Sequence, residues 1–403
     1  MHAWRAAHAF DGERFLEGGV TVLVDGARIA GVEAGDHVLP HDCPVTSWDG
    51  TLLPGLVDAH VHLVGDGTPG GLERAGQDDD ATLDRTIRAS LARHAAAGVT
   101  TVRDLGDAHY RTLAHRDRHG PGEPRIVAAG PPVTVPGGHC HFLGGAASGV
   151  AGVRAAVSAH TERGVDVIKV MASGGMVTTG TDVLGAQFSP EELHALVEEC
   201  HGAGLAVLAH AHSLAGVRHA VAAGVDGLEH GTCLTATGIA VPDDELLDAL
   251  VAGGVTVDPT LSVDPAHVLP LDELPPNMRA VVERLGIEPG RLSHARAPQL
   301  RAMHRRGVRL VTGTDAGAAP PKRHGGAWRA VVDLLLADLP VAEALATATS
   351  YAADACGLRD ETGRLRAGLA ADLLVVDGDL VAEPEALGRP VAVLVRGEPP
   401  VVP

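Results

Sequence analysis

Four times in this chain a helical stretch runs out into the same short phrase, a small or basic residue followed by glycine and valine: Ala97-Gly98-Val99, Arg163-Gly164-Val165, Ala223-Gly224-Val225 and Arg306-Gly307-Val308. A glycine just past a helix lets the backbone turn left-handed and stop, and the valine opens an apolar run with strand character. Helix followed at once by strand, repeatedly, marks parallel βα units, because parallel strands need a crossover between them. The pattern predicts strands at 52–57, 99–103, 125–129, 165–170, 205–209, 224–228, 255–259 and 308–312. Helices are predicted between them, among others at 81–97, 149–163, 190–203 and 214–223. Eight such units make this an α/β chain with a (β/α)8 TIM barrel as its expected fold.

The two ends of the chain read otherwise. Residues 19–24 and 28–32 look like short strands set between the turn signals Asp25-Gly26 and Asp49-Gly50, and 372–376 and 391–395 do the same around Asp377-Gly378. These half-sheets are expected to combine into one small β-sandwich domain, 1–52 with 358–403, attached to a barrel of 53–357. The stretch 262–306 fits neither pattern and carries Pro265, Pro270, Pro275 and Pro276. A loop so long is usually functional or partly helical, so a substrate-facing excursion with one or two helices is expected there.

Composition narrows the function. With 32 basic against 51 acidic residues the net charge is −19, which argues against a nucleic-acid or acidic-membrane partner and leaves a small molecule. A homo-oligomer is compatible with this. Cys43, Cys140, Cys200, Cys233 and Cys356 are scattered without a CxxC pair, so neither a disulfide framework nor a thiolate metal site is expected, and a reducing cytoplasm fits. No basic segment followed by an apolar run opens the chain, and no apolar run nears the length of a membrane span. Only four Phe, two Tyr and three Trp are present, so Ala, Val and Leu must build the core.

Active-site groups of a (β/α)8 barrel sit at the C-terminal ends of its strands. Reading just past each predicted strand collects His60 and His62 after the first, His139 and His141 after the third, and Lys169 near the end of the fourth. His210 and His212 follow the fifth, His230 the sixth and Asp315 the eighth. His60 and His62 flank Val61, so on a strand both imidazoles face the same way. Nitrogen and oxygen donors gathered in this manner suit zinc or a similar first-row ion. Lys169 lies in the apolar run 165–170, where a free ammonium is expensive to bury and cannot ligate a cation. Arg103 and Asp104 read as a pair near the mouth, His324 as a cap on the pocket or part of a solvated turn, and Lys322 and Arg323 as an anchor for a substrate carboxylate or a solvated basic turn.

The order HxH, Lys, His, His, Asp on successive strand ends, inside flanking β segments, resembles the amidohydrolase superfamily of the binuclear, carboxylated-lysine type. The phrases Pro54-Gly-Leu-Val-Asp-Ala-His60, Ile168-Lys-Val-Met-Ala-Ser-Gly-Gly175, Leu208-Ala-His-Ala-His212, Gly227-Leu-Glu-His-Gly231 and Gly313-Thr-Asp-Ala-Gly317 are similar to its imidazolonepropionase-like and prolidase-like branch. The likeness spans nearly the whole chain. It implies that His60, His62, Lys169, His210, His230 and Asp315 hold two divalent metal ions, zinc being the expected one, with a CO2-derived carbamate on Lys169. It gives the ligand role to His210 over His212 and a substrate contact to His139, with His141, His212 and His324 as further expected contacts. The implied reaction is hydrolysis of an amide or peptide-like C–N bond, in an N-acyl amino acid or dipeptide, by a metal-bridged hydroxide. Asp315 would take the proton and return it to the departing amine.

Other readings use the same fold. Hydrolysis of a cyclic amide or lactam would need the same groups. A deaminase typically works with one metal and a Glu close behind the fifth-strand histidine, whereas here His210-Ala-His-Ser-Leu-Ala-Gly216 carries no carboxylate and Lys169 is present. A catalytically silent binding protein would have lost ligands, and none is missing. Prolidase-like relatives sometimes hold the substrate carboxylate with a tyrosine, but Tyr110 and Tyr351 lie away from the strand ends after the fifth.

Overall fold

A computed structural model describes residues 1–118, 120 and 122–399 of the chain. The two chain ends meet in one seven-stranded sheet. Pro390–Leu394, Leu373–Val376, Val45–Pro54, His2–Phe10, Val20–Asp25 and Arg28–Ala34 lie side by side in that order, with Phe15–Leu16 pairing on His2–Phe10. Val45–Pro54 ties beginning to end, running parallel to His2–Phe10 and antiparallel to Leu373–Val376. The sheet curls until Arg28 bridges Ala370, so that both margins share a core of Val20, Val22, Leu52, Leu373, Val375 and Leu394.

The remaining long strands are parallel and buried along most of their length, as strands covered on both faces must be. Leu56–Val61, Val99–Asp104 and Arg125–Ala128 form one set. Val167–Met171, Ala206–Ser213, Gly227–Thr235 and Thr256–Asp258 form the other. Val133 pairs with Val170 and carries the first set towards the second, and Val257 pairs with Leu310. The Ala59 amide then donates to the Thr312 carbonyl at 2.9 Å, which brings 308–312 back against the first strand.

Helices Asp80–Ala96, Gly149–Glu162, Pro190–Gly202 and Leu214–Ala223 fall within one residue of the predicted bounds. Ser189 and Glu192 close a capping box at the head of Pro190–Gly202, and Gly224 and Gly307 end their helices with φ of 88° and 90°. Among the described residues no helix is long and apolar enough to cross a membrane.

Several strands differ from expectation. The predicted first strand breaks at Gly55: residues up to Pro54 belong to the end sheet, and a new strand starts at Leu56. A Cβ at Gly55 would strike the Thr100 side chain, so the close approach of the two sheets requires glycine. The segment 308–312 pairs on both sides without becoming a regular strand. The fifth and sixth strands run on to Ser213 and Thr235, so His210, His212 and His230 lie within them and not beyond them. The excursion 262–306 holds helices Pro276–Leu285 and Leu292–Arg306, preceded by short turns at Pro265–His267 and Leu271–Glu273.

Candidate active site

Buried histidines converge where the parallel strands end. His60 and His62 have ring centroids 5.4 Å apart, and Asp315 places Oδ1 3.5 Å from His60 Nε2 and 3.2 Å from His62 Nε2. Lys169 Nζ, on a residue only 2% exposed, lies 3.4 Å from the same His60 nitrogen. Beside them His210, His212 and His230 each bring a ring nitrogen within 4.8 Å of the others. His230 joins the two groups, its ring 5.4 Å from that of His60 and 4.5 Å from that of His210.

Backbone conformation explains how so many groups face one point. Strand alternation alone would send Glu229 and His230 to opposite faces. His230 escapes it by taking φ of 65°, a left-handed value that His and Asp tolerate better than most residues, and both side chains turn towards His60. Asp315 does the same with φ of 60°. Its turn is locked by Asp58, which accepts from the Thr314 amide at 3.0 Å and hydroxyl at 2.7 Å.

The hydrogen bonds also fix which ring nitrogen faces inward. His62 Nδ1 lies 3.0 Å from the Gly106 carbonyl and so carries the hydrogen, which leaves the Nε2 lone pair facing Asp315. His60 Nδ1 faces Glu229 at 2.7 Å and Asp258 at 3.4 Å, with the same result. His230 Nδ1 donates to Thr260 Oγ1 at 2.8 Å, because that hydroxyl spends its own hydrogen on the Pro259 carbonyl. His212 Nδ1 stands 2.9 Å from Thr232 Oγ1. His210 differs: its Nε2 lies 3.2 Å from the Gly174 carbonyl, leaving Nδ1. Lone pairs and a carboxylate oxygen this close repel one another unless a proton or a metal ion lies among them, and the donor set suits divalent first-row ions.

Electrostatics favour the same reading. Burial and Lys169 pull the His60 imidazole down, but the carboxylates Glu229 and Asp258 outweigh them and raise it to about 9, so positive charge is welcome there. Burial holds His210 and His230 well below the ordinary imidazole value, and pushes His139 and His212 down to about 3 each. Burial likewise lowers the Lys169 amine. At Asp315 burial works upward, yet His62, His60 and Lys322 overcome it and keep the carboxyl well below its usual range.

Of the residues singled out in the sequence, His60, His62, His139, Lys169, His210, His212, His230 and Asp315 line one cavity. The His139 ring is 4.4 Å from that of His210, with Nδ1 held 2.8 Å from Thr178 Oγ1. His141 is not in the cavity wall; it is exposed, its Nδ1 caught 2.9 Å from the Gly138 carbonyl. His324 does not cap the pocket either. It is buried behind the floor, with Nε2 2.8 Å from the Gly65 carbonyl and Nδ1 3.0 Å from His94 Nε2. Arg103 and Asp104 do not pair: Arg103 reaches the Ala59 and Ala355 carbonyls and Glu229, while Asp104 accepts from the Leu63 and Gly106 amides. Glu229 and Asp258 were missed. Glu229 stands beside His230 in Gly227-Leu-Glu-His-Gly231, where strand alternation points it away from the site.

The amidohydrolase family profile matches residues 51–399. Ochratoxinase of Aspergillus niger is 27% identical over 383 residues, covering 85% of this chain and 73% of that protein. Imidazolonepropionase of Ectopseudomonas mendocina is 26% identical over 420 residues, covering 94% and 92%. Among solved structures, a Xaa-Pro dipeptidase with methionine bound in its active site superposes with a TM-score of 0.83 at 26% identity, over 98% of each chain.

Proposed function

The chain belongs to the amidohydrolase family and is a hydrolase of C–N bonds, and from that premise we propose that it is a binuclear metal enzyme cleaving an amide or peptide-like bond, in an N-acyl amino acid or a dipeptide. The observation that carries this reading is the meeting of imidazole nitrogens, one carboxylate oxygen and a buried amine at one point, a donor set that could hold metal ions. The ring of parallel pairings closed by 308–312 supports a (β/α)8 barrel over 53–357. The curled end sheet supports a β-sandwich unit of 1–52 with 358–403.

In this reading His60, His62, Lys169, His210, His230 and Asp315 would together hold two ions. The buried Lys169 amine, kept towards neutrality, adds CO2 and loses a proton, becoming an anionic carbamate with two oxygens where an ammonium could hold no metal. Zinc suits the donors best. Bound ions supply a Lewis acid for the amide carbonyl and make a water acidic near neutral pH. Asp315, ionised before the attack, accepts the proton of the attacking water and delivers it to the leaving nitrogen, without which an amide does not part. His139, neutral and anchored on Thr178, contacts the substrate.

A screen of N-acyl amino acids, dipeptides and cyclic amides with metal-loaded protein tests the proposal, alongside elemental analysis after chelator-free purification. Two divalent ions per chain and measurable cleavage are expected, with Lys169→Ala inactive. A metal-free preparation, or a fully active Lys169→Ala, would sink it. A cyclic amide is the second reading, favoured by the likeness to imidazolonepropionase, whose name places a ring in its substrate.

A further inference from the structure

Above the histidine floor the excursion 262–306 supplies an apolar wall, with Val263, Leu269, Leu274, Met278, Val281 and Ile287 facing the cavity. Its helix Pro276–Leu285 packs Met278, Val281 and Leu285 with Met176, Val183 and Leu184, contacts that any similar apolar group could make. Among the described residues one side chain of this helix bonds outside the excursion. Asn277 Nδ2 donates to the carbonyls of Gly175 at 2.9 Å, Thr178 at 2.9 Å and Thr181 at 3.0 Å. A carbonyl oxygen only accepts, so the amide nitrogen and not the amide oxygen must face this group. The loop 175–181 is thereby gathered around a single atom. Thr181 closes it from within, Oγ1 donating to the Thr178 carbonyl at 3.0 Å and accepting from the Gly175 amide at 3.2 Å.

That loop seats His139. Thr178 Oγ1 stands 2.8 Å from His139 Nδ1 and accepts from the Cys140 amide at 3.1 Å. Gly175 lies against the ring: a Cβ there would strike Cε1, Nδ1 and Nε2 at once, so the close approach requires glycine. His139 itself sits in a turn, with no strand to fix it. The two residues that set its ring are therefore two of the three whose carbonyls Asn277 holds.

We propose that Asn277 is a positioning residue for His139, acting through Gly175 and Thr178, and that it is the point where the directional bonding of the floor enters the excursion. This rests on the reading of His139 as a substrate contact given above. Losing the amide releases three carbonyls and lets the loop relax with the ring it carries. Among the histidines expected to hold metal, His210 alone meets this loop, at the Gly174 carbonyl, and the Gly174 amide has its own bond to the Asp182 carbonyl at 3.1 Å. Metal content should therefore stand.

Two variants separate positioning from packing. Asn277→Ala removes the amide, whereas Asn277→Asp keeps its size, sets a carboxylate against three carbonyls and, in the first turn of a helix, suits the helix itself. In deuterium exchange on the metal-loaded protein, both should speed the Gly175 and Cys140 amides at least about tenfold and leave strands Ala206–Ser213 and Gly227–Thr235 unchanged. With N-acetyl-L-phenylalanine and L-alanyl-L-phenylalanine as probes, both should lower kcat/KM about 10- to 100-fold, and by less than about twofold once His139→Ala is already present. Unchanged exchange, or an Asn277→Asp as active as wild type, overturns the tie. A loss that adds in full to that of His139→Ala, or that follows a loss of metal, overturns the route through His139. Exchange that responds in a protein cleaving no amide of the screen leaves the tie standing and removes the hydrolase reading, so the two failures are distinguishable.

Discussion

The floor and the upper wall of the cavity are held in place by different forces. On the floor every imidazole has one nitrogen engaged, by Gly106, Glu229, Thr178, Thr232, Thr260 or Gly174, and, the loop residue His139 apart, its backbone is part of, or closely follows, a buried parallel strand. In the wall, Val263 to Ile287 present aliphatic side chains whose contacts have no direction, and helix Pro276–Leu285 buries only Val281 and Val282. Directional bonds fix where an atom is, while apolar packing fixes only how much room is left. Bond cleavage needs the first, because a misplacement of about 1 Å can cost roughly 100-fold in rate. Choosing among substrates tolerates the second. Reaction and specificity are therefore carried by separate stretches of this chain.

The largest effect should come from the floor. Asp315→Asn keeps the shape and an oxygen but cannot accept a proton, so kcat should fall about 10²- to 10⁴-fold while KM changes little. Steady-state kinetics with elemental analysis on the same preparation reads this, and near-normal turnover would move the proton transfer to another residue. Next comes Glu229→Gln, which removes the negative charge facing His60 Nδ1. Metal affinity, read by competition with a chelator, should fall about 10- to 100-fold, as when a carboxylate behind a ligating histidine is lost. Unchanged affinity would reduce Glu229 to a partner for Arg103 and make the floor less directional than its distances suggest.

The same contrast governs what is legible in the sequence. Helices and parallel strands announce themselves, because a glycine stop such as Gly224 and an apolar run such as 165–170 are local events with local causes. The spacing of His60 and His62 is equally local. Glu229 is not, because the left-handed backbone of His230 cancels the alternation on which strand reading depends. His141 and His324 read as pocket residues since both follow strand ends; position along a strand says which end a residue occupies and nothing about which carbonyl captures its ring. For 262–306 the prolines predict turns and the length predicts helices, but the pairing of its apolar residues with one cavity is a long-range fact that no periodicity records.

In the wall a smaller effect is expected. Met278→Ala removes apolar contact without touching a hydrogen bond, so KM for substrates with a bulky apolar group should rise about tenfold, the cost of lost methylenes in a hydrophobic pocket. Substrates with a small acyl group, kcat and metal content should hold. If kcat falls as far as KM rises, the wall also orients the reacting bond, and the division between the two regions fails.

The smallest effect lies behind the floor, where directional bonding continues away from the ligands. His94 Nε2 and His324 Nδ1 lie 3.0 Å apart, both buried, and His324 also meets Ser90 and Gly65. Burial, with His324 adding to it, holds His94 well below the ordinary imidazole value of 6.5. Burial lowers His324 to about 4, against the pull of the Gly65 carbonyl. The unfolded chain binds these protons near pH 6.5 and the folded chain refuses them, so the unfolded state carries more protons as pH drops below that point. Stability is therefore complete above about pH 6.5 and is lost progressively as pH falls towards 4, at up to about 1.4 kcal/mol per pH unit for each ring. His324→Gln keeps a polar side chain and removes one titrating ring. Urea midpoints taken at about pH 7.5 and about pH 5.5 should then differ less in the variant than in the wild type. The apolar wall above has no comparable buried pair to titrate, so equal slopes in the two proteins would mean that the precise wiring of the floor ends at its ligands.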